Sequence, residues 1–372
     1  IISSFSYTYD KVGNRLSMTT AEGTHNYSYD DIYRLTSADH PLQTDETYTY
    51  DKVGNRLTSA QHSDWTYDVN NRLISYDGIS YTYDANGNLT SKTEGEQVTT
   101  YSYDYENRLT SIQNPASSIQ YTYDPFGKRL SKTVNGTTTY YLYDNEDIIA
   151  EYDSGGSVIA SYIHGQGIDE PISMSRDGST YYYTFDGLGS VTELTDSSQN
   201  VVESYKYDAF GNLQTSPATG NPYTYTAREY DSESGLYYYR ARYYDPSIGR
   251  FITADPSLKP GVYYIPYLLA KSILAPSQLN LFVYVSNNPI NNIDPLGLRE
   301  CCPGEKPTFH PGVFTACMLA LPTFNQDIII ACIACVIPVP YSPWVRIVAC
   351  SYCGLRLLQI TLICKATATF CD

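Results

Sequence analysis

The sequence predicts an all-β fold of stacked β-hairpin repeats, followed by a small cysteine-rich segment of different construction. Two observations carry this reading. The phrase Tyr-x-Tyr-Asp, followed by Gly-Asn-Arg-Leu or a relaxed form of it, starts at Tyr7 and recurs at Tyr27, Tyr48, Trp65, Tyr81, Tyr101, Tyr121 and Tyr141, and once more at Tyr205. The marking residues Asp10, Asp30, Asp51, Asp68, Asp84, Asp104, Asp124 and Asp144 are spaced by 20, 21, 17, 16, 20, 20 and 20 residues. That period belongs to stacked supersecondary units and not to one ordinary core. The second observation is that all nine cysteines, Cys301, Cys302, Cys317, Cys332, Cys335, Cys350, Cys353, Cys364 and Cys371, lie beyond residue 298.

Each repeat reads as a hairpin. Tyr at i and i+2 share one face of a strand, Asp closes the strand and opens the turn, and Gly or Asn a few residues on supplies the positive φ of the reversal. Gly54 and Asn55, like Gly87 and Asn88, are thereby expected in left-handed positions. Arg-Leu-Thr-Ser is the return strand. A lone hairpin is unstable in water, so the tyrosine faces must stack on neighbouring repeats, each ring removing roughly 150–250 Å² from solvent. The tyrosines therefore read as packing and the aspartates as turn caps, with no chemistry assigned to them.

Charge and termini narrow the function. The net charge of −16 is uneven, with 19 Lys+Arg against 36 Asp+Glu in residues 1–298 and 5 against 4 in 299–372. An acidic body of this kind argues against nucleic acid as a partner. The chain opens on Ile1-Ile2-Ser3-Ser4 without an initiator Met, a basic n-region or an apolar h-region, and reads as the C-terminal part of a longer chain. A cysteine-dense tail suits an oxidising setting, secreted or at the cell surface, and an odd count leaves one thiol free or intermolecular.

After Leu213 and a Pro- and Gly-containing linker at 216–222, the block 223–298 abandons the period. It contains Arg240-Ala241-Arg242-Tyr243-Tyr244-Asp245-Pro246, Gly249-Arg250-Phe251, Asp255-Pro256 and finally Asp294-Pro295-Leu296-Gly297-Leu298. In that order these motifs resemble the core-associated domain of the Rhs/YD-repeat family, whose relatives include the shell-forming C component of Tc toxin complexes and the teneurins. The resemblance covers residues 1–298. It implies a spiralling β-shell over 1–215 that encloses a variable C-terminal cargo, 299–372. It also implies a core-associated autoprotease over 223–298 that cuts after the terminal Asp-Pro-x-Gly-Leu, here between Leu298 and Arg299. The implied partners are the chain's own cargo, an immunity protein and a secretion machinery. The change in cysteine usage falls at the same boundary.

The residues allow that chemistry. Two carboxylates sharing a proton can hydrolyse a peptide bond without metal or nucleophile, one activating water while the other protonates the carbonyl or the leaving amine. Arg240 and Arg242, at i and i+2, are expected on one strand face. By the resemblance the site falls on Arg242, Asp255 and Asp294, with Asp245 a further candidate. The plain alternative is that Asp-Pro opens turns and that Arg beside Tyr stacks or pairs within a sheet. Residues 1–298 hold no Cys, and His25, His40, His62 and His164 show neither ligand spacing nor a Gly-x-Ser-x-Gly elbow, so no cofactor or metal is expected.

The tail contains two apolar runs, 328–339 and 345–364, flanking Pro338-Val339-Pro340-Tyr341-Ser342-Pro343. The first is short of the ~20 residues of a bilayer span, and Arg346 and Arg356 interrupt the second. Read as an antiparallel α-helical hairpin, they put Cys332 opposite Cys353 and Cys335 opposite Cys350, a spacing that permits two disulfide rungs. The competing reading is zinc, since Cys332-x-x-Cys335 and Cys350-x-x-Cys353 bracket 14 residues. Composition favours a cargo directed at a target-cell membrane. A non-enzymatic adhesin, with exposed tyrosines on surface glycans and the tail as a stapled knob, is the alternative.

Overall fold

The computed structural model describes residues 1–215, 217–256 and 280–298, and in the tail the strands Pro307–Phe309 and Thr369–Cys371. The described residues up to Leu298 form one compact unit, and the paired tail strands belong to a second. The helical hairpin and the pairs Cys332–Cys353 and Cys335–Cys350 lie outside the described residues.

One turn, repeated, builds the first unit. At Asp51 the backbone N–H donates to the carbonyl of Asn55 at 2.9 Å, and Gly54 N–H donates back to the Asp51 carbonyl at 3.3 Å. The carboxylate Oδ1 accepts the N–H groups of Val53 and Asn55 at 2.9 and 2.8 Å, and Oδ2 accepts the Asn55 side-chain amide at 2.9 Å. The backbone part of this set recurs at Asp10, Asp30, Asp68, Asp84, Asp104 and Asp124. The third residue after each Asp is left-handed, whether Gly54 at φ 85° or Tyr33 at φ 66°. Asn55 and Asn88 are not left-handed, contrary to expectation; they follow the left-handed Gly and close the ring through their side chains.

Gly54→Val would force a β-branched residue into that conformation, at a cost on the order of 1–3 kcal/mol. A lowered urea midpoint is the expected result, and an unchanged one would count against this account of the turn.

Neighbouring repeats are tied by two ladders. The second tyrosine of a repeat donates its hydroxyl to a carbonyl one repeat back: Tyr29 to Arg15 at 2.7 Å, Tyr50 to Leu35 at 2.9 Å, Tyr123 to Leu109 at 2.6 Å and Tyr143 to Arg129 at 3.0 Å. In the forward direction Arg72 and Arg108 donate to the carbonyls of Asp84 and Asp124 at 3.0 and 3.1 Å, while Asn55 and Asn88 reach the side chains of Asn71 and Asn107, both at 2.9 Å. The period is thus a hydrogen-bond repeat as well as an apolar one.

Asp144 departs from the pattern. It pairs with Asp147 across the two-residue turn Asn145-Glu146, with Asn145 at φ 50°. The Asp turn resumes at Asp153, Asp186 and Asp196, where the Tyr-x-Tyr signal lapses, and again at Asp208, where the signal returns.

The hairpins assemble into antiparallel sheets in chain order, five strands from Ser6–Tyr9 to Glu46–Thr47, then the pair Thr49–Tyr50 and Arg56–Thr58, then fifteen from Thr66–Tyr67 to Val201–Ser204. The stack curls back on itself. Gly187 N–H donates to the Tyr7 hydroxyl at 2.6 Å, Arg15 reaches the Gly187 carbonyl at 2.5 Å, and Lys206 pairs with Glu22 at 2.6 Å. Beside this seam His25 Nδ1 lies 2.7 Å from His40 Nδ1, and His40 Nε2 lies 2.7 Å from Glu46 Oε1.

Burial, reinforced by the neighbouring His40, lowers the His25 pKa to about 4. An unfolded histidine titrates near 6.5, so the unfolded chain takes up this proton first as pH falls. The His25 contribution is complete above pH ~6.5 and is lost progressively down to about 4. Urea midpoints measured across that window should fall less steeply in His25→Asn than in the parent.

Inside the curl sits the block that lost the period. Its strands Glu229–Asp231, Leu236–Tyr239, Arg242–Asp245 and Arg250–Phe251 form a four-stranded antiparallel sheet, almost wholly buried. Leu236, Tyr238, Tyr243 and Ile252 pack into one core with Trp65, Tyr81, Leu109 and Tyr121 of the repeats. Polar links match this packing. Arg250 reaches the Asn71 carbonyl at 2.5 Å, and Asn287 reaches the Gly54 carbonyl at 2.8 Å, so the block reads the repeat's turns directly.

Candidate functional site

The site grows out of a two-residue hairpin. Tyr239 pairs with Arg242, leaving Arg240 and Ala241 as the turn, with Arg240 at φ 52°. Arg240 and Arg242 therefore do not share a strand face as expected from their spacing, and the turn sends them to different partners. Arg240 goes to Asp169, while Arg242 opens its strand and turns into the interior.

Buried Arg242 gathers both sequence-predicted aspartates. Its Nη2 stands 3.3 Å from Asp294 Oδ2 and 3.4 Å from Asp255 Oδ2. Nη1 donates to the Leu281 carbonyl at 3.2 Å, which also accepts the Asp255 N–H at 2.9 Å, so one carbonyl ties the Arg242 side chain to the Asp255 backbone. The guanidinium lies over the Phe251 ring at 3.5 Å from its centroid. Removing charged groups from water this completely is tolerated only when they are paired and hydrogen-bonded. A single guanidinium nitrogen faces two carboxylates.

Asp294 also caps its own turn. Leu298 N–H donates to Asp294 Oδ1 at 3.0 Å, Gly297 N–H donates to the Asp294 carbonyl at 3.3 Å, and Gly297 is left-handed at φ 67°. Asp-Pro-Leu-Gly-Leu thus shares two contacts with the Asp turn of the repeats, the i+3 N–H on the Asp carbonyl and the i+4 N–H on its Oδ1. The same residue thus caps a turn and pairs with Arg242. Asp245 differs: its Oδ1 accepts the Ser247 N–H at 3.0 Å and hydroxyl at 2.6 Å, which engages it in a separate turn.

Three successive carbonyls of this terminal turn are held by three successive residues of the hairpin. Arg240 Nη1 takes that of Pro295 at 2.5 Å, Ala241 N–H that of Leu296 at 3.3 Å, and Arg242 Nε that of Gly297. The fit leaves no room for a side chain at Gly297, where a Cβ would stand 2.2 Å from the Tyr239 carbonyl oxygen. Leu298 follows directly, with its N–H on one of the two carboxylates.

Residues 2–290 match the family model of the teneurin YD-shell. The chain belongs to that family. Over 300 residues this YD-shell is 35% identical to the tRNA3(Ser)-specific nuclease WapA of Bacillus spizizenii, covering 78% of this chain and 11% of that protein. Over 133 residues it is 29% identical to the double-stranded DNA deaminase toxin A of Burkholderia cenocepacia, covering 34% of this chain and 8% of that protein. Among solved structures, TcdB2-TccC3-Cdc42 matches at 19% identity and a TM-score of 0.49, over 80% of this chain and 17% of that one. The YD-shell described here thus spans only a small part of the length of these relatives.

Sequence reasoning did not find Arg240 and Ala241 as carbonyl holders, nor the shell residue Asp169 behind Arg240. The spacing of the last motif carried part of the signal, since Asp294 and Gly297 stand at the same separation as Asp51 and Gly54.

Proposed function

We propose that this YD-shell is the C-terminal part of a secreted or surface-displayed toxin-type protein, and that it frees its cargo, 299–372, by aspartic-type self-cleavage between Leu298 and Arg299. The observation that carries the reading is the convergence of Asp255 and Asp294 on Arg242, with residues 295–297 held in register beside them. The two relatives named above carry different activities in their names, as expected if a common shell serves a variable cargo.

Hydrolysis at this site needs one carboxylate ionised and its partner protonated. The ionised member takes a proton from solvent water as the water oxygen bonds to the Leu298 carbonyl carbon. The partner gives its proton to the leaving nitrogen, the C–N pair departs with that nitrogen, and the products are a carboxyl at Leu298 and an amine at Arg299. Arg242 keeps the two carboxylates together and holds the Gly297 carbonyl, so the reacting groups need not be brought together at the moment of reaction. The apolar, cysteine-bearing composition of the cargo supports a membrane as its target, with an immunity protein and a secretion machinery as further partners.

Intact mass of the purified protein is the test. Two polypeptides, one ending at Leu298 and one beginning at Arg299, are expected; a single chain of full length, stable over days, would overturn the reading.

A further inference from the structure

We propose that Asp169, on the shell loop between the strands Val158–His164 and Pro171–Arg176, is a positioning residue for the cleavage site, so that scission depends on this repeat having closed around the block. The proposal rests on the self-cleavage reading and extends it to what controls it.

Asp169 is the meeting point of two block arginines. Its Oδ1 accepts Arg228 Nη1 at 2.5 Å and Arg240 Nη2 at 2.9 Å, and its Oδ2 accepts Arg240 Nη1 at 3.3 Å. Each arginine passes the constraint on to backbone at the hairpin. Arg228 donates to the Tyr238 carbonyl through Nε at 3.2 Å and Nη2 at 2.6 Å, two residues before the turn. Arg240 donates to the Pro295 carbonyl at 2.5 Å, one residue beyond Asp294. One shell carboxylate thus fixes both the hairpin that holds residues 295–297 and the turn those residues form.

The loop is built to present that carboxylate. Gly165 N–H donates to the Glu170 carbonyl at 2.7 Å and Gly167 N–H to Glu170 Oε2 at 2.8 Å, closing the loop, and Asp169 itself is left-handed at φ 60°. The turn-forming role is filled by Glu170, which leaves Asp169 to the arginines. Arg228 is almost fully buried and Arg240 partly buried with Asp147 and Glu146 as further partners, so Arg228 above all needs Asp169 to arrive for the block to settle. Until the repeat containing Asp169 has folded, Arg240 lacks this anchor and the Leu298–Arg299 bond lacks a fixed position.

Two variants of the full chain test this. Asn tolerates a left-handed φ and preserves shape, so Asp169→Asn removes the charge and keeps the loop. Arg240→Ala leaves the buried Arg228–Asp169 pair intact and removes the arm to Pro295 together with the Arg240 contacts to Asp169, Asp147 and Glu146. Misplacement by about 1 Å costs on the order of 100-fold, so each variant should slow appearance of the fragment beginning at Arg299 by roughly 10–100-fold, and the double variant should be no slower than the worse single one. Hydrogen exchange on an Asp255→Asn background, which does not depend on scission, should show faster exchange at the amides of Ala241 and Leu298 in both variants, with amides of the fifteen-stranded sheet unchanged. Unchanged exchange at those amides, or rate effects that multiply in the double variant, would overturn the positioning role. Cleavage at the parent rate in Asp255→Asn would instead overturn the self-cleavage reading.

Discussion

Asp294→Asn and Asp255→Asn should each leave the chain as one polypeptide, with scission slowed by the 100- to 10,000-fold typical of a lost general acid or base. Each substitution keeps the shape of the side chain and leaves buried Arg242 the other carboxylate as its partner. An Asn at 294 still offers an oxygen to the Leu298 N–H, now accepted at 3.0 Å, so the terminal turn should survive with only its charge removed. At 255 the contact with the Leu281 carbonyl is made by the backbone N–H and is unaffected by the change. Loss of cleavage with an unchanged thermal transition is therefore the expected pair of results. Asp245→Asn is the control, because its carboxylate serves Ser247, and it should cleave at the parent rate. If Asp255→Asn and Asp294→Asn are both processed like the parent, the two-carboxylate mechanism is wrong.

Why the sequence revealed some of this and hid the rest follows from how local each interaction is. The Asp turn closes within five residues, so its donors and acceptors leave a fixed-interval signature, and Asp10, Asp51 and Asp84 announce themselves. Asp153, Asp186 and Asp196 build the same turn without a preceding Tyr-x-Tyr, and a search keyed on tyrosine passes over them. A pattern of Asp with Gly three positions later would have caught Asp153 and Asp186, while Asp196, with Gln199 in the left-handed place, would still be passed over. Asn55 was misplaced because Asn tolerates positive φ; here its side chain was wanted as a donor to Asp51, and Gly54 already supplied the reversal.

The site divides along the same line. The family motif singled out Arg242, Asp255 and Asp294 together, and the fold brings the three into contact although they lie far apart along the chain. Arg240 looked like a strand neighbour of Arg242 until the hairpin register placed it in the turn. Asp169 carries no motif at all. Its importance lies in two contacts, 59 and 71 residues away along the chain, which no local pattern encodes.

Arg129→Met should destabilise the unit by about 3–5 kcal/mol, the cost of stranding buried carboxylates. Arg129 lies on the repeat strand Arg129–Val134 and is 1% exposed. It donates to Asp231 and to Glu229 of the inner sheet, each at 2.6 Å, and its guanidinium sits 4.5 Å from the Tyr238 ring centroid. The two carboxylates would not suffer equally. Asp231 keeps Lys132 at 3.0 Å and the Tyr121 hydroxyl at 2.9 Å, whereas the remaining ion pair of Glu229, with Arg228, spans 3.8 Å. Burial by itself would raise the Asp231 pKa, but Arg129 and then Lys132 outweigh it and hold the carboxyl below its usual range. Its contribution is therefore present above the unfolded pKa near 4 and is lost as pH falls through the lower folded value. In Arg129→Met that acid-side loss should shrink, because the largest of the groups lowering the pKa is gone. Adding Glu229→Gln to Arg129→Met should recover part of the stability, since the stranded charge is then removed with its partner. Urea denaturation of the three proteins at neutral and acidic pH measures both effects, and a loss under about 1 kcal/mol in the single variant would place this ion pair among those worth little.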